Sequence, residues 1–306
     1  MTSFFKNSIK SIISLFYLRL GFVQLAMYYI RANNQIISVY FHNPSKSTFE
    51  NCLIWLKNKG YNFISTTDLL NINNGSLIQP KNAVIITVDD GWHDNYNNVI
   101  PISLKLNIPV TIFITTEPVE FGGGYWWSYI KNSPKEKIIN TSVLALKKSV
   151  NSKRIKFVNE IKALVNIERQ AMTIDQLRII SNNPLITLGS HTITHPILPN
   201  CTDVEAQSEI AGSKLILEKW LDREIHSFSY PNGDFGNREI NLLNKAGYQL
   251  GFSTIPALIN MHQYNNLFTI PRFEVLDNAS LNENICRMTG VWYKINFKNL
   301  YNINGA

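Results

Sequence analysis

Two adjacent carboxylates, Asp89 and Asp90, close the apolar run Val84-Ile-Ile-Thr-Val and are followed by Gly91. Asp and Gly are ordinary turn residues, so a plain turn after a strand would use the same letters. The C-terminal end of a strand is also where parallel α/β folds place reactive groups. A second cluster, Gly189-Ser-His191-Thr-Ile-Thr-His195-Pro196, follows another apolar run and sets two of the six histidines four residues apart. If Ser190 caps a helical turn, both imidazoles lie on one face, the spacing that lets them share a metal. Asp90 can supply a third ligand. Two neutral imidazoles and one carboxylate suit Zn²⁺ or another divalent transition metal and leave a coordination position open. Asp89 is then free to act as a base, because adjacent residues at a turn can point in different directions. A third cluster, Phe228-Ser-Tyr-Pro-Asn-Gly233, is either a Pro-Asn-Gly turn or a turn that presents a backbone N–H to an oxyanion.

Short apolar runs separated by longer helical stretches must position these clusters. Strands are expected at Ile36–His42, Tyr61–Ser65, Ala83–Val88, Val110–Thr115, Leu185–Leu188, Ser227–Tyr230, Gln249–Ser253 and Phe268–Ile270. Helices are expected at Thr48–Lys59, Val99–Leu106, Thr202–Leu221 and Asn237–Ala246, with Gly60 and Gly247 at C-terminal caps. Strands alternating with helices argue for an α/β fold with a parallel sheet. Residues 121–175, with Gly122-Gly-Gly-Tyr-Trp-Trp and a Lys-rich helical stretch, interrupt that rhythm and read as an insertion over one rim. The chain therefore divides into an N-terminal apolar segment (1–33), a barrel or sheet domain (34–277) and an unassigned tail (278–306).

Composition narrows the function classes. With 45% hydrophobic and 17% charged residues the chain is globular, and three cysteines far apart (Cys52, Cys201, Cys286) are neither a disulfide framework nor a thiolate zinc site. Lys and Arg outnumber Asp and Glu by 29 to 22, but the charges are scattered, so nucleic acid is not an expected partner. Ser11 to Ile30 is the most apolar stretch. Arg19 near its middle would cost roughly 2.5–3.5 kcal/mol in a bilayer, which favours a helix packed on the domain or lying at a membrane interface over a span. A cleavable signal peptide is not expected, which places the chain in the cytoplasm or peripherally at the inner membrane, with anchoring by this segment the alternative.

The two specific motifs together resemble the polysaccharide deacetylases of the NodB-homology type, carbohydrate esterase family 4. The family's T-F-D-D-G stands here as Thr87-Val-Asp89-Asp90-Gly91, and its H-[ST]-x-x-H-P as His191-Thr-Ile-Thr-His195-Pro196. Similarity extends through Ser38–His42, Thr111–Ile114, Trp126-Trp127, Phe228–Gly233 and Gly251–Thr254, so it covers roughly residues 36–275. It implies a distorted (β/α)7 barrel and metal-dependent hydrolysis of an acetyl group on a sugar. It further implies Asp89 as base and Asp90, His191 and His195 as metal ligands. The backbone N–H of Asn232 would face the oxyanion, and Trp92, Tyr230, Trp126 and Trp127 would contact substrate.

Two departures from the family pattern matter. Members with an Arg-x-Pro motif hold an arginine beside the base, whereas this chain has Ser229 two before Pro231; Arg272 is the expected replacement. The late Leu-x-His that supplies a general acid is absent, since the strand reads Leu267-Phe-Thr-Ile-Pro-Arg272. His42 is the candidate substitute, ahead of His93, His226 and His262. The expected activity is deacetylation of an amino-sugar glycan or its precursor. An amidase acting on a small or lipid-linked acetamido sugar and an inactive carbohydrate-binding relative are the alternatives.

Overall fold

The computed structural model describes residues 3–138, 141–261 and 266–293. In chain order the elements begin with α1 (Ser3–Arg19), α2 (Phe22–Ala32), β1 (Ile37–Phe41), α3 (Lys46–Asn58), β2 (Asn62–Phe63), α4 (Thr66–Asn73) and β3 (Ala83–Val88). There follow α5 (His93–Asn98), α6 (Ile100–Leu106), β4 (Val110–Ile114), α7 (Thr116–Phe121), α8 (Trp126–Lys131), α9 (Val143–Lys147), α10 (Asn151–Lys162) and α11 (Ile174–Ser181). The rest are β5 (Ile186–Ser190), α12 (Asp203–Leu221), β6 (Ser227–Ser229), α13 (Asn237–Lys245), β7 (Leu250–Phe252), β8 (Phe273–Glu274) and α14 (Leu281–Met288).

The chain forms two compact units. One comprises residues 1–87, 254–265 and 271–306, the other residues 88–253 and 266–270. In the first, β1 lies between β8 and β3, and β2 pairs in parallel with the start of β3, Asn62 opposite Ala83. In the second, the order β7-β6-β5-β4 is parallel throughout, with Val110 opposite Ile186 and Ser227 opposite Leu250. β1, β3 and β4 are buried at every position. Burial on both faces is why their sequences read as continuous apolar runs rather than alternating ones.

Helix starts follow local capping chemistry. Ser45, Ser65, Thr173 and Thr202 accept backbone N–H groups at the starts of α3, α4, α11 and α12, and the last three are reciprocal capping boxes with Asp68, Gln176 and Glu205.

Three expectations are corrected. Phe268–Ile270 is no strand, because Gly251 N–H donates to the Leu267 carbonyl and Ile270 N–H to the Gly251 carbonyl as a loop packed on β7; the strand is β8, parallel to β1 with Val39 opposite Phe273. The N-terminal apolar stretch is two helices, α1 and α2, bent by 62°. Gly21, at φ 79°, takes the left-handed turn that breaks them. Within residues 278–306, Leu281–Met288 is helical and packs against α1. Ser14 of α1 is fully buried at that crossing, its carbonyl facing the Cys286 thiol.

The insertion carries its own apolar cluster. Trp126, Tyr129 and Ile130 of α8 pack with Leu146 of α9 and Val158 and Ile161 of α10. The three cysteines are free and buried.

Candidate active site

Asp90 and Gly91 adopt consecutive left-handed conformations, φ 75° and 81°, at the end of β3. A Cβ on Gly91 would meet Ile114 Cδ1 at 2.8 Å, so the position excludes other residues by space as well as by backbone angle. The turn separates the two carboxylates. Asp90 Oδ2 accepts a hydrogen bond from Trp92 Nε1 (2.8 Å), and its carbonyl accepts one from the Tyr125 hydroxyl (3.1 Å). Asp90 Oδ1 is buried with no hydrogen-bond partner, 3.5 Å from both His191 Nε2 and His195 Nε2. Asp89 is buried too, and its Oδ2 accepts from the Ser229 hydroxyl at 3.3 Å.

The two histidines do not stack on a helical turn, which corrects the expectation built on Ser190. β5 runs to Ser190, and the loop beyond it has left-handed residues at Thr192 (φ 69°) and His195 (φ 53°). Tertiary contacts shape this loop. Glu209 of α12 accepts the N–H groups of Ile193 (2.8 Å) and Thr194 (2.9 Å) and the Thr194 hydroxyl (2.6 Å). Arg154 of α10 donates to the same hydroxyl at 2.9 Å, and the Glu117 N–H donates to the Ile193 carbonyl. Burial pushes the Glu209 carboxyl upward against those hydrogen bonds.

The imidazoles are oriented as metal ligands require. His191 Nδ1 donates to the Ser229 carbonyl at 2.7 Å, which leaves the Nε2 lone pair facing Asp90. The His195 carbonyl accepts from Trp126 Nε1 at 3.0 Å. Burial holds the His195 imidazole well below its usual range, reinforced by His191, Lys147 and Arg154, so the ring is neutral at neutral pH. One donor atom each from Asp90, His191 and His195 lies within 4.8 Å of the others. A buried carboxylate oxygen without a partner, facing two imidazole nitrogens, fits a divalent cation.

The aromatic residues divide by burial. Trp126 (3% exposed) and Tyr230 (0%) have no face open for a sugar ring; Trp126 instead supports His195, and Tyr230 stacks on Phe235. Trp92 and Trp127 are half-buried, with Tyr125 stacked on Trp127 at 4.8 Å between ring centroids. Trp127 also lies edge-on to His195 at 4.7 Å. Asn232 sits in the turn Pro231–Gly233 with φ 60°. Its side chain accepts from Lys147 Nζ (2.7 Å) and donates to Asp234 (2.6 Å).

His42 and Arg272 belong to the other unit. His42 is exposed at the end of β1, edge-on to Tyr40. Arg272 is fully buried, its guanidinium 4.5 Å from the Tyr40 ring centroid and donating to Thr87 Oγ1 at 3.0 Å. His262 lies outside the described residues. Sequence reasoning missed Glu209, Lys147 and the double use of Ser229. Only Ser229 carried a signal, as the residue standing where an arginine was expected.

The polysaccharide deacetylase family model matches residues 77–251, which include Asp89, Asp90, His191, His195 and Asn232. The chain is 24% identical to the Bacillus subtilis (strain 168) protein YxkH, named as a polysaccharide deacetylase, over 77% of this chain and 66% of that protein. It is 25% identical to the poly-β-1,6-N-acetyl-D-glucosamine N-deacetylase of Escherichia coli (strain K12), over 86% of this chain and 38% of that protein. It thus spans just under two thirds of the first relative and well under half of the second. Among solved structures, the deacetylase PplD of Streptococcus pyogenes, in complex with acetate, shares the fold. Its TM-score is 0.62 at 19% identity, covering 83% of this chain and 98% of that one. The matched region holds the aspartate pair and both histidines, and the chain belongs to the polysaccharide deacetylase family.

Proposed function

We propose that the protein is a divalent-metal-dependent deacetylase that hydrolyses the N-acetyl group of an amino-sugar glycan or glycan precursor, with Zn²⁺ as the metal. The observation that carries this reading is the buried, unpartnered Asp90 Oδ1 facing His191 Nε2 and His195 Nε2. Relatives named as poly-β-1,6-N-acetyl-D-glucosamine N-deacetylases in Escherichia coli and Staphylococcus aureus support the substrate class. When bound, the metal would supply Lewis acidity toward the acetyl carbonyl and the attacking water. Asp89, held by the Ser229 hydroxyl, takes the proton from that water. The Asn232 N–H is the oxyanion donor in this reading, and removing one such donor typically costs on the order of 10²–10³ in rate. Trp92 and Trp127 offer partly open aromatic faces for a pyranose ring. The reading extends to peripheral membrane contact through α1 and α2, whose outer faces expose Ile12, Phe16, Leu25 and Tyr28 beside Arg19.

The test separates the adjacent aspartates. Asp90→Asn, His191→Ala and His195→Ala should lose metal and acetate release together. Asp89→Asn should keep its metal and lose roughly 10²–10⁴ in kcat. An Asp89→Asn protein free of metal, or an Asp90→Asn protein fully loaded and active, would reverse the roles. Acetate release compared across chitin oligomers, poly-N-acetylglucosamine, acetyl xylan and lipid-linked acetamido sugars identifies the substrate, and release from none overturns the reading.

A further inference from the structure

The cations of this chain are concentrated in one stretch of the insertion. Between residues 131 and 162 lie nine of the 29 Lys and Arg residues but only two of the 22 Asp and Glu, so this stretch accounts for the whole net charge of +7. Three of the nine are engaged within the fold. Lys147 donates to Asn232, Arg154 to Asn151 and Thr194, and Lys162 to Glu117. The other six, Lys131, Lys135, Lys137, Lys148, Lys153 and Lys156, are exposed and in no ion pair among the described residues. Like charges held together destabilise the compact state by self-repulsion, which a bound anion offsets.

Three of the six line a cavity. α10 contributes Lys153, Lys156, Phe157 and Glu160, which stand at i, i+3, i+4 and i+7 and so form one stripe of the helix, while Arg154, Val158 and Ile161 are buried. With Leu146 of α9 and with Glu136 and Lys137 of the turn Lys135–Lys137, the stripe lines a volume of about 540 Å³. Phe157 is half-buried on the apolar cluster of the insertion and gives a ring face to lie on. The two carboxylates accept from hydroxyl groups, and the three ammonium groups attract an anion. The same helices touch the candidate active site. Leu146 lines the cavity and the next residue, Lys147, bonds to Asn232; Arg154, next to Lys153, holds Thr194 between the two histidines.

We propose that this cavity is a subsite for an anionic group, phosphate or carboxylate, carried on the acetamido-sugar chain, so that the substrate is an anionic glycan rather than a neutral one. The inference rests on the deacetylase reading. Leu144 and Val150 are exposed on the same insertion and would suit a lipid surface, but a concave site holding Glu136 and Glu160 fits a hydroxylated chain better than a layer of anionic headgroups.

The test compares the metal-loaded wild type with the triple variant Lys137→Gln, Lys153→Gln, Lys156→Gln on three ligands of matched length. These are neutral N-acetylglucosamine oligomers, hyaluronan oligosaccharides carrying carboxylate, and poly(N-acetylglucosamine 1-phosphate). Wild type should bind at least one charged chain about tenfold more tightly than the neutral one, with the difference shrinking as salt rises. The triple variant should lose about that factor, the sum expected of three exposed ion pairs, and bind the neutral oligomer as before. On the charged substrate it should raise KM and leave kcat and metal content unchanged. Equal affinity of wild type for neutral and charged chains, or a triple variant that keeps its preference, would overturn the proposal. A variant that loses binding to anionic vesicles but not to the charged chains would make this face a membrane surface instead. Lysine-dependent binding with no acetate released from any of the three ligands overturns the deacetylase reading while the anionic subsite stands.

Discussion

Trp92 shows how one side chain can shape a candidate metal site without supplying a ligand to it. Its indole N–H occupies Asp90 Oδ2, so the other carboxylate oxygen alone is turned toward the imidazoles. Partners of this kind typically account for 10–100-fold in metal affinity. Trp92→Phe keeps the ring beside Tyr125 and removes the donor. Zinc affinity, measured by competition with a chelating dye, should fall by about that factor; unchanged affinity would show that Asp90 is oriented without the indole. Ser229 has an equivalent double use, its hydroxyl on Asp89 and its carbonyl on His191. One serine at a strand end therefore holds both the Asp89 carboxylate and the His191 imidazole in place.

At the scale of elements, the packing of β7 leaves no room beside Gly251. A Cβ there would approach the Phe268 carbonyl oxygen at 2.6 Å, and backbone cannot move aside as a flexible side chain can. Gly251→Ala should cost about 1–3 kcal/mol, read as a lower urea midpoint at unchanged m-value. A cost below about 0.5 kcal/mol would mean that the 266–270 loop yields. The N-terminal helices make a different prediction. α2 buries Val23, Ala26, Met27 and Ile30 at helical spacing, and leaves Phe22, Leu25 and Tyr28 outward. Among the described residues no single helix is long and apolar enough to cross a membrane. Peripheral contact should make sedimentation with anionic vesicles depend on Phe16, Leu25 and Tyr28, with triple substitution by Ser lowering the bound fraction at least several-fold. Equal binding by the variant would remove that proposal.

Across the whole molecule, acid acts on buried imidazole. The His195 pKa lies well below 6.5 in the folded state, so below about pH 6.5 the unfolded chain binds the proton more strongly and stability falls with pH. Glu209, raised by burial, works in the opposite direction, because the folded state takes up its proton first. Comparing metal-stripped wild type with His195→Gln isolates the histidine term: wild type should lose more stability between pH 7 and pH 5.5. Identical slopes would show that the imidazole is not depressed. Net charge of +7 adds self-repulsion as further protons bind, common to both proteins.

The sequence by itself determined the parallel α/β class, the strands β1, β3 and β4 within a residue or two, the helix α12 with its Thr202 cap, and the grouping of Asp89, Asp90, His191 and His195. These were legible because burial on two faces writes an unbroken apolar run, capping writes local polar pairs, and metal chemistry restricts residue type. Tertiary structure decided the rest. The His191–His195 loop owes its shape to Glu209 and Arg154 from distant helices, so four-residue spacing suggested a helical turn that the chain does not form. Trp126 and Tyr230 read as substrate contacts because aromatic residues serve cores and sugars alike, and only burial tells them apart. β8 was displaced from Phe268–Ile270 because a two-residue strand carries no periodicity. Lys147 is one lysine among several in its segment, and nothing but the fold sets its ammonium against Asn232. Local physics writes itself into neighbouring letters, whereas a contact between residues 85 apart leaves no mark in either neighbourhood.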